Sequence, residues 1–158
     1  MRRILLSVLA VIAITLAAAP SDARAQASDE QAVRDVVKKL FDGMRAADTV
    51  MMKSTLAPQV QMFGIGQDGA ITVEGAGNWL ANIAQIPAGT VVDEVLHDVE
   101  VRIDGPLAIV WTYYDLFVGP TFRHCGYDAF TLLKTGGEWK IVAVADTRRR
   151  EGCRQQRG

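Results

Sequence analysis

Residues 91–150 decide the fold of this chain, and they read VVDEVLHDVEVRIDGPLAIVWTYYDLFVGPTFRHCGYDAFTLLKTGGEWKIVAVADTRRR. Three pairs of turn-forming residues interrupt this run, at Gly105-Pro106, Gly119-Pro120 and Gly136-Gly137. The four segments between and beside them are rich in β-branched and aromatic residues. Because glycine and proline supply the backbone angles of tight reversals, the pattern predicts four consecutive antiparallel strands.

The chain before this meander predicts three helices and one hairpin, from apolar residues at three- and four-residue spacing and from turn signals. In chain order the predicted elements are helix 28–47 with Ser28 as its N-cap, helix 50–56 capped by Asp48 or Thr49, strands 59–65 and 70–73 around the turn Gln67-Asp68-Gly69, and helix 74–86. Three helices can cover one face of a single sheet. We therefore expect an α+β fold whose curved antiparallel sheet wraps around helices and leaves a cavity at one end.

The start of the chain predicts a secretory signal peptide over residues 1–25. Arg2 and Arg3 precede an apolar run, and Ala23-Arg24-Ala25 offers small residues at a cleavage site. A membrane anchor is the alternative, but the apolar run is short beside the roughly 20 residues that a span needs. We expect an exported domain, periplasmic or secreted and free of the membrane after cleavage, over residues 26–158, with its core at 28–150 and a tail at 151–158.

Charge and cysteine content narrow the class of protein. The formal net charge is −1 at pH 7, and removal of the predicted signal peptide makes the chain more acidic, so nucleic acid is not an expected partner. The arginines near the C-terminus are interpreted as a solvated tail. Cys125 and Cys153 form an even pair, which in an oxidising compartment predicts a disulfide that ties the tail to the third strand of the meander. A reactive thiol is the alternative.

Period-two alternation sorts the meander onto two faces. In its first strand the set His97, Val99, Val101 and Ile103 is predicted to face inward. Counting back from the turns places Asp115 opposite His124, Trp111 opposite Asp128, Asp128 opposite Ala145 and Phe130 opposite Ala143. One face, predicted to line the pocket, then collects Trp111, Tyr113, Asp115, His124, Asp128, Phe130, Ala143 and Ala145. A register error of one residue would exchange the two faces.

Two segments resemble a known superfamily. GMRAADTVMMKSTLAP after the first helix resembles the helix–helix opening of the nuclear transport factor 2-like superfamily. WTYYDLF and HCGYDAFTLLKTGGEWKIVAVADTRR are similar to an exported bacterial branch described as lumazine-binding or polyketide-cyclase-like. The resemblance covers about residues 32–150 and implies a cone-shaped fold with a homodimer formed through the outer sheet face. It does not choose a function, because this fold hosts enzymes, binders and assembly modules alike.

Three functions stand as hypotheses. The first is an exported binder of a small, partly apolar or aromatic molecule, with contacts from Trp79, Trp111, Tyr113, His97 and Phe130. The second is a cofactor-independent isomerase or dehydratase, with His124 or Asp128 as the base, Asp115 orienting His124, and Tyr113 or Tyr114 as the proton donor. The third is a structural dimerisation module. A cross-strand ion pair of Asp115 and His124 that only stabilises the sheet fits the same residues.

No metal or cofactor is expected from the sequence. His97 and His124 are the only histidines, and the chain has no His-x-His or Cys-x-x-Cys spacing. Gly64-Ile-Gly66-Gln-Asp-Gly69 matches a dinucleotide-binding pattern by letter, but it spans a predicted hairpin rather than a strand-to-helix turn.

Overall fold

The computed structural model describes residues 21–65 and 69–155, with the backbone alone at 21–23. The predicted signal peptide therefore lies outside these residues up to position 20, and most of the predicted turn at 67–69 lies outside them as well. The elements in chain order are α1 (Ser21–Arg45), α2 (Thr49–Thr55), β1 (Leu56–Ile65), β2 (Ile71–Gly75), α3 (Gly77–Ala84), β3 (Val92–Asp104), β4 (Leu107–Val118), β5 (Thr121–Thr135) and β6 (Glu138–Asp146).

The α+β architecture predicted from the sequence is confirmed. Six strands form one open, curved sheet in the order β2-β1-β6-β5-β4-β3. The four-strand meander β3 to β6 is antiparallel throughout. The pairing that the sequence analysis did not specify is parallel: β1 runs alongside β6 and so joins the hairpin to the meander.

Two helices begin more than two residues away from the predicted start. Helix α1 already includes Ser28, so Ser28 is not its N-cap. The alanines at 23, 25 and 27 are strong helix formers, and no helix-breaking residue separates them from Ser28. Helix α3 begins at Gly77 rather than Glu74, because Glu74 pairs with Met62 in the β1–β2 ladder. The cap of α2 is confirmed as Asp48, whose side chain accepts a hydrogen bond of 2.9 Å from the Met51 backbone N–H.

The hydrophobic core lies between α1 and the concave face of the sheet. Phe41 of α1 meets Phe130 of β5 edge-to-face, with ring centroids 5.9 Å apart. Burial of each large apolar side chain there contributes about 1.5–3 kcal/mol. The most deeply buried members are Val33, Val37, Leu40, Met52, Ala108, Val110, Phe130, Leu132 and Ile141.

Three β-bulges within the β3–β6 meander set which of its side chains face that core. Between β3 and β4 the bulge lies at Asp98, which has a positive φ of 53°. Between β4 and β5, Leu116 pairs with His124 and Phe117 pairs with Phe122, which leaves Arg123 as the extra residue. Between β5 and β6 the register moves between Thr131 and Leu132, which leaves Val142 extra. Each bulge shifts the remainder of its strand by one residue, and a one-residue shift exchanges the two faces.

None of the three helices, within the residues that the structure describes, combines the length and apolarity needed to cross a bilayer.

Candidate functional site

A cavity of about 130 Å³ lies between α1, α3 and the concave face of the sheet. Its floor comes from successive strands of the meander, and its walls include aromatic side chains from both helices and strands. The residues that line it are Leu40, Phe41, Met62, Trp79, Glu94, Tyr114, Leu116, His124, Asp128, Phe130, Val144, Asp146 and Arg148. The mixture of apolar walls with a few polar groups is typical of a small-molecule site.

Four of the predicted site residues lie in this cavity. Trp79, His124, Asp128 and Phe130 contribute to its lining. The bulge at Arg123 is the reason that His124 and Asp128 come to this face, since Asp128 lies opposite Thr112 and not opposite Trp111. These four residues therefore define the part of the predicted site that the structure brings together.

The other predicted site residues lie on the opposite, outer face. Trp111 pairs with Ala129, Asp115 pairs with Cys125, and Tyr113 pairs with Tyr127, so the predicted registers Asp115–His124 and Trp111–Asp128 are wrong. Beyond the bulge at Val142 the predicted pairs Asp128–Ala145 and Phe130–Ala143 are wrong as well: Asp128 pairs with Asp146 and Phe130 with Val144. His97 also lies on the outer face, because the bulge at Asp98 separates it from Val99, Val101 and Ile103, which do pack on the core.

A pair of carboxyl groups is the most perturbed feature of the cavity. Asp128 is 3 % exposed, and its Oδ2 has no hydrogen-bond partner among the described residues. Burial first, then repulsion from the Glu94 carboxylate, and then the hydrogen bond that the Asp128 carboxyl donates to Glu94, raise the pKa of Asp128 well above its usual range. Burial likewise raises the pKa of Glu94 to about 7, although the hydrogen bond with Asp128 lowers it. In the hydrogen bond between them Asp128 is the donor and Glu94 the acceptor, so the two carboxyl groups share a proton when Glu94 is ionised.

His124 belongs to a hydrogen-bonded chain that reaches the end of β6. The Tyr114 hydroxyl donates to the Thr147 carbonyl oxygen at 2.9 Å, and His124 Nδ1 lies 3.2 Å from the same hydroxyl. Because the single hydroxyl proton goes to Thr147, we infer that Nδ1 of His124 carries the proton and donates to Tyr114. Burial, followed by the charge of Arg148, lowers the pKa of His124, so the ring is neutral with a lone pair at Nε2.

An ion pair lies beside the cavity. Arg148 Nε donates to Asp146 Oδ2 at 2.5 Å, and the side chain of Arg148 is 66 % exposed. The Asp146 carboxylate raises the pKa of Arg148, chiefly through this hydrogen bond. Among the described residues that line the cavity, Arg148 is the one arginine or lysine, and its charge is largely compensated by Asp146.

Sequence reasoning did not assign Glu94, Asp146 or Arg148 to the site, and it named Tyr114 only as one of two candidate proton donors. The signal that could have found them is weak. Aspartate tolerates a positive φ better than most residues, so Asp98 inside a predicted strand is compatible with a bulge. A bulge there moves Glu94 and Leu96 to the inner face, but nothing comparable marks Arg123 or Val142.

The outer face carries a second polar cluster, which the C-terminal tail covers. Tyr113 donates to Asp115 Oδ1 at 3.0 Å, and His97 Nε2 lies 3.4 Å from Asp115 Oδ2. Asp115 is fully buried. The Arg154 backbone N–H donates to the Tyr113 hydroxyl at 2.8 Å, and the Arg154 guanidinium lies 4.4 Å from the ring centroid of Tyr113. The interpretation of these arginines as a purely solvated tail is therefore wrong for Arg154.

The predicted disulfide between Cys125 and Cys153 is present, with an S–S distance of 2.08 Å. It ties the tail to β5, as the sequence analysis expected. Backbone hydrogen bonds of 2.9 Å in both directions between Cys125 and Arg149 support the same attachment. The approach is close enough to require glycine at position 126, where a Cβ would lie 1.7 Å from the Thr147 carbonyl oxygen.

Comparison with protein families gives one match. The family model described as "Putative lumazine-binding" matches residues 28–145. No curated protein matches the chain in sequence.

Comparison with solved structures gives the fold. A nuclear transport factor 2-like protein with a cystatin-like fold from Novosphingobium aromaticivorans is similar, with a TM-score of 0.65, 17 % identity, and coverage of 84 % of this chain and 90 % of that one. A nuclear transport factor 2-like protein from Shewanella baltica has a TM-score of 0.62, 20 % identity, and coverage of 79 % and 97 %. A protein from Streptomyces avermitilis described as a "putative dehydratase" of the nuclear transport factor 2-like family has a TM-score of 0.62, 18 % identity, and coverage of 78 % of this chain and 98 % of that one. At these identities the likeness shows the nuclear transport factor 2-like fold alone.

Proposed function

This chain belongs to the "Putative lumazine-binding" family within the nuclear transport factor 2-like superfamily, and from that premise we propose that it binds one small organic molecule in the cavity on its concave face. The observation that carries the proposal is the carboxyl pair of half-buried Glu94 and buried Asp128 in a cavity whose walls are largely aromatic and aliphatic. A core that served packing alone would fill this space with apolar side chains.

The energetics of Asp128 support a ligand. A buried polar atom without a partner costs roughly 1–3 kcal/mol, and Oδ2 of Asp128 is such an atom. A bound molecule that supplies a donor to Oδ2 recovers part of that cost. The volume of about 130 Å³ is comparable to the roughly 150 Å³ of an engineered cavity that holds benzene. A single ring is therefore the size of the part that would be enclosed.

Export and dimerisation belong to the same proposal. The disulfide between Cys125 and Cys153 supports an oxidising compartment. Large apolar side chains exposed on the outer side and edges of the sheet support association with a second copy: Ile65, Ile71, Ile109, Trp111 and Leu133. Analytical ultracentrifugation of the chain lacking residues 1–25 tests the dimer, and a Trp111→Lys variant that leaves the sedimentation coefficient unchanged would remove this surface from the interface.

Acid–base catalysis is the second candidate, and a specific observation favours it. Burial raises the pKa of Asp128, which favours its proton-donating form, and burial lowers the pKa of His124, which favours the neutral ring with a free lone pair at Nε2. A proton donor and a proton acceptor in one cavity are what a cofactor-independent isomerase or dehydratase needs. The sequence analysis named Asp115 as the residue that orients the ring of His124. In the structure the ring is hydrogen-bonded to Tyr114 instead.

The experiment that tests the proposal is native mass spectrometry of the protein purified from its own cells under mild conditions. We expect a population that carries one bound small molecule, and we expect Asp128→Asn to reduce that population. Asp104→Asn is the matched control, because Asp104 is exposed at the end of β3. Once the molecule is known, loss of turnover with retained affinity in His124→Gln assigns catalysis, and loss of affinity without any turnover in the wild type assigns binding.

A protein that carries no small molecule, and whose thermal stability does not respond to a library of single-ring compounds, would contradict the proposal. That result would favour the structural dimerisation module.

A further inference from the structure

We propose that the cavity is selective for a small organic cation, in which an ammonium group is attached to an apolar body of about one ring. This inference rests on the proposed function, since it assigns the charge and chemical class of the molecule bound at the same site. Three independent features of the cavity support it: its charge, its walls and the unpartnered oxygen of Asp128.

The ionisable groups of the cavity leave a negative excess. Asp146 and Arg148 form an ion pair at 2.5 Å and largely compensate one another. Glu94 and Asp128 hydrogen-bond to each other, and among the described residues that line the cavity the one basic side chain that acts on them is Arg148, which is already paired with Asp146. When the pair holds a single proton it carries one negative charge in a poorly solvated space. A cation is the ligand that such a space favours most strongly, because Coulomb attraction grows as water is excluded.

The walls of the cavity suit the other properties of an organic cation. Phe41, Trp79, Tyr114 and Phe130 present aromatic rings to the space. Aromatic faces attract ammonium groups through the ring quadrupole, and Trp is the strongest of them. The same rings exclude water around an apolar ligand body, which an inorganic cation lacks.

Asp128 supplies the group that would hold the ammonium. Asp128 lines the cavity and is only 3 % exposed. Its Oδ2 accepts no hydrogen bond from any of the described residues. An ammonium has three N–H donors and can reach Oδ2 and a Glu94 oxygen at once. A neutral ligand with one donor would satisfy one of these acceptors only.

The charged groups on the other elements do not cancel this excess. On β3 the neighbour of Glu94 is Asp93, which pairs with Arg45 of α1 at 2.7 Å. The basic side chains of α1 that line a groove with Glu94 have carboxylate partners: Arg34 pairs with Glu30, Lys38 with Asp42, and Arg45 with Asp42 as well as Asp93. Asp35 accepts a hydrogen bond from Gln31. On β4 and β5 the facing groups are Tyr114 and His124, both neutral near pH 7.

Proton linkage gives the inference a pH signature. A cation and a proton compete for Glu94, whose pKa is raised to about 7 by burial. An alkylammonium remains charged across neutral pH, as lysine does. Its affinity should therefore fall about tenfold between pH 8 and pH 6, as Glu94 takes up its proton. The affinity of a neutral ligand should change little or should rise over the same interval.

The test compares three probes that share one ring and differ in charge: benzylamine, benzyl alcohol and benzoate. Binding to the chain lacking residues 1–25 is followed by calorimetry and by the NMR signal of the Trp79 indole N–H. We expect benzylamine to bind at least about tenfold more tightly than benzyl alcohol, and benzoate to bind most weakly. Glu94→Gln should remove the preference, and Glu100→Gln should keep it, because Glu100 is exposed on the same strand.

The outcomes separate this inference from the proposed function. Equal or tighter binding of benzyl alcohol or benzoate at the Trp79 site would overturn the cation preference while the binding function stood. A benzylamine affinity that is the same at pH 6 and pH 8 would overturn it as well. Failure of all three probes to perturb Trp79 would contradict both the inference and the proposed function.

Discussion

Replacement of Glu94 by glutamine should make the protein more stable at pH 8 and leave it almost unchanged at pH 4.5. The folded protein holds the pKa of Glu94 at about 7, against an ordinary value of 4.5, because burial disfavours the charged form. The unfolded chain ionises Glu94 near pH 4.5. The contribution of Glu94 to the free energy of unfolding is therefore fully present below pH 4.5. It is lost as the pH rises towards 7, where Glu94 ionises in the folded protein as well.

The magnitude follows from the two pKa values of this carboxyl. Each tenfold change in proton affinity is worth about 1.4 kcal/mol, so a rise from 4.5 to about 7 costs roughly 3 kcal/mol above pH 7. Glutamine cannot ionise and so carries no such cost. Its amide can also donate to Asp128, which partly replaces the hydrogen bond that the two carboxyl groups make. We expect a gain that approaches but does not exceed about 3 kcal/mol at pH 8.

Urea denaturation at four values between pH 4.5 and pH 8 measures this directly. The free energies of unfolding of the wild type and of Glu94→Gln should converge at the acid end and separate progressively up to about pH 7. Glu100→Gln, an exposed glutamate on the same strand, should follow the wild type throughout. Parallel curves for the wild type and Glu94→Gln, or a variant that is less stable at every pH, would refute the reasoning.

Three further changes test the frame that holds the cavity. The double replacement Cys125→Ser with Cys153→Ser removes the disulfide and frees a loop with a sequence separation of 28 residues. The chain-entropy relation predicts that the free energy of unfolding, measured by urea denaturation, falls by roughly 3–4 kcal/mol. A fall below about 1 kcal/mol would contradict this expectation. Gly126→Ala places a Cβ 1.7 Å from the Thr147 carbonyl oxygen, so we expect about 1–3 kcal/mol of destabilisation and faster hydrogen exchange at the Thr147 amide. Unchanged exchange would show that the tail does not lie as described. Asp48→Ala removes the cap that accepts from Met51 and should lower the thermal midpoint by an amount equivalent to about 1 kcal/mol, whereas Asp104→Ala should not.

The sequence was informative about turns and poorly informative about bulges. Gly105, Gly119, Gly136 and Gly137 all have positive φ values, as their turns require, and the four strands between the turns are those that the pattern predicts. The registers counted from the turns are correct next to each turn: Phe117 pairs with Phe122, and Lys134 pairs with Trp139. The error enters one residue beyond Phe117, at Leu116, and three residues beyond Lys134, at Thr131.

The physical reason is that a bulge residue needs no special side chain. Arg123 and Val142 are ordinary strand residues by composition, and their bulges follow from how three strands twist around the core rather than from local preference. Each one exchanges the faces beyond it. His124 and Asp128 were thus correctly named as site residues but were grouped with Trp111, Tyr113 and Asp115, which lie on the other side of the sheet. The carboxyl pair was missed for the same reason, because Glu94 reaches the inner face through the bulge at Asp98.

The fold-level predictions depended on features that tolerate such errors. The number and order of strands follow from turn chemistry, and the burial of α1 follows from its apolar stripe, whatever the register. The disulfide prediction rested on the count of cysteines and the expected compartment, and Cys125 reaches Cys153 because the tail returns along β5 through Arg149.

The central claim is that a small molecule binds on the concave face, between α1 and the meander. The most direct measurement is an NMR titration of isotope-labelled protein with benzylamine, with the two indole N–H signals of Trp79 and Trp111 and the carboxyl carbons of Glu94 and Asp128 observed together. We predict saturable shifts at Trp79, Glu94 and Asp128, with the Trp111 signal unmoved. Shifts confined to Trp111 would place the ligand on the outer face and contradict the account.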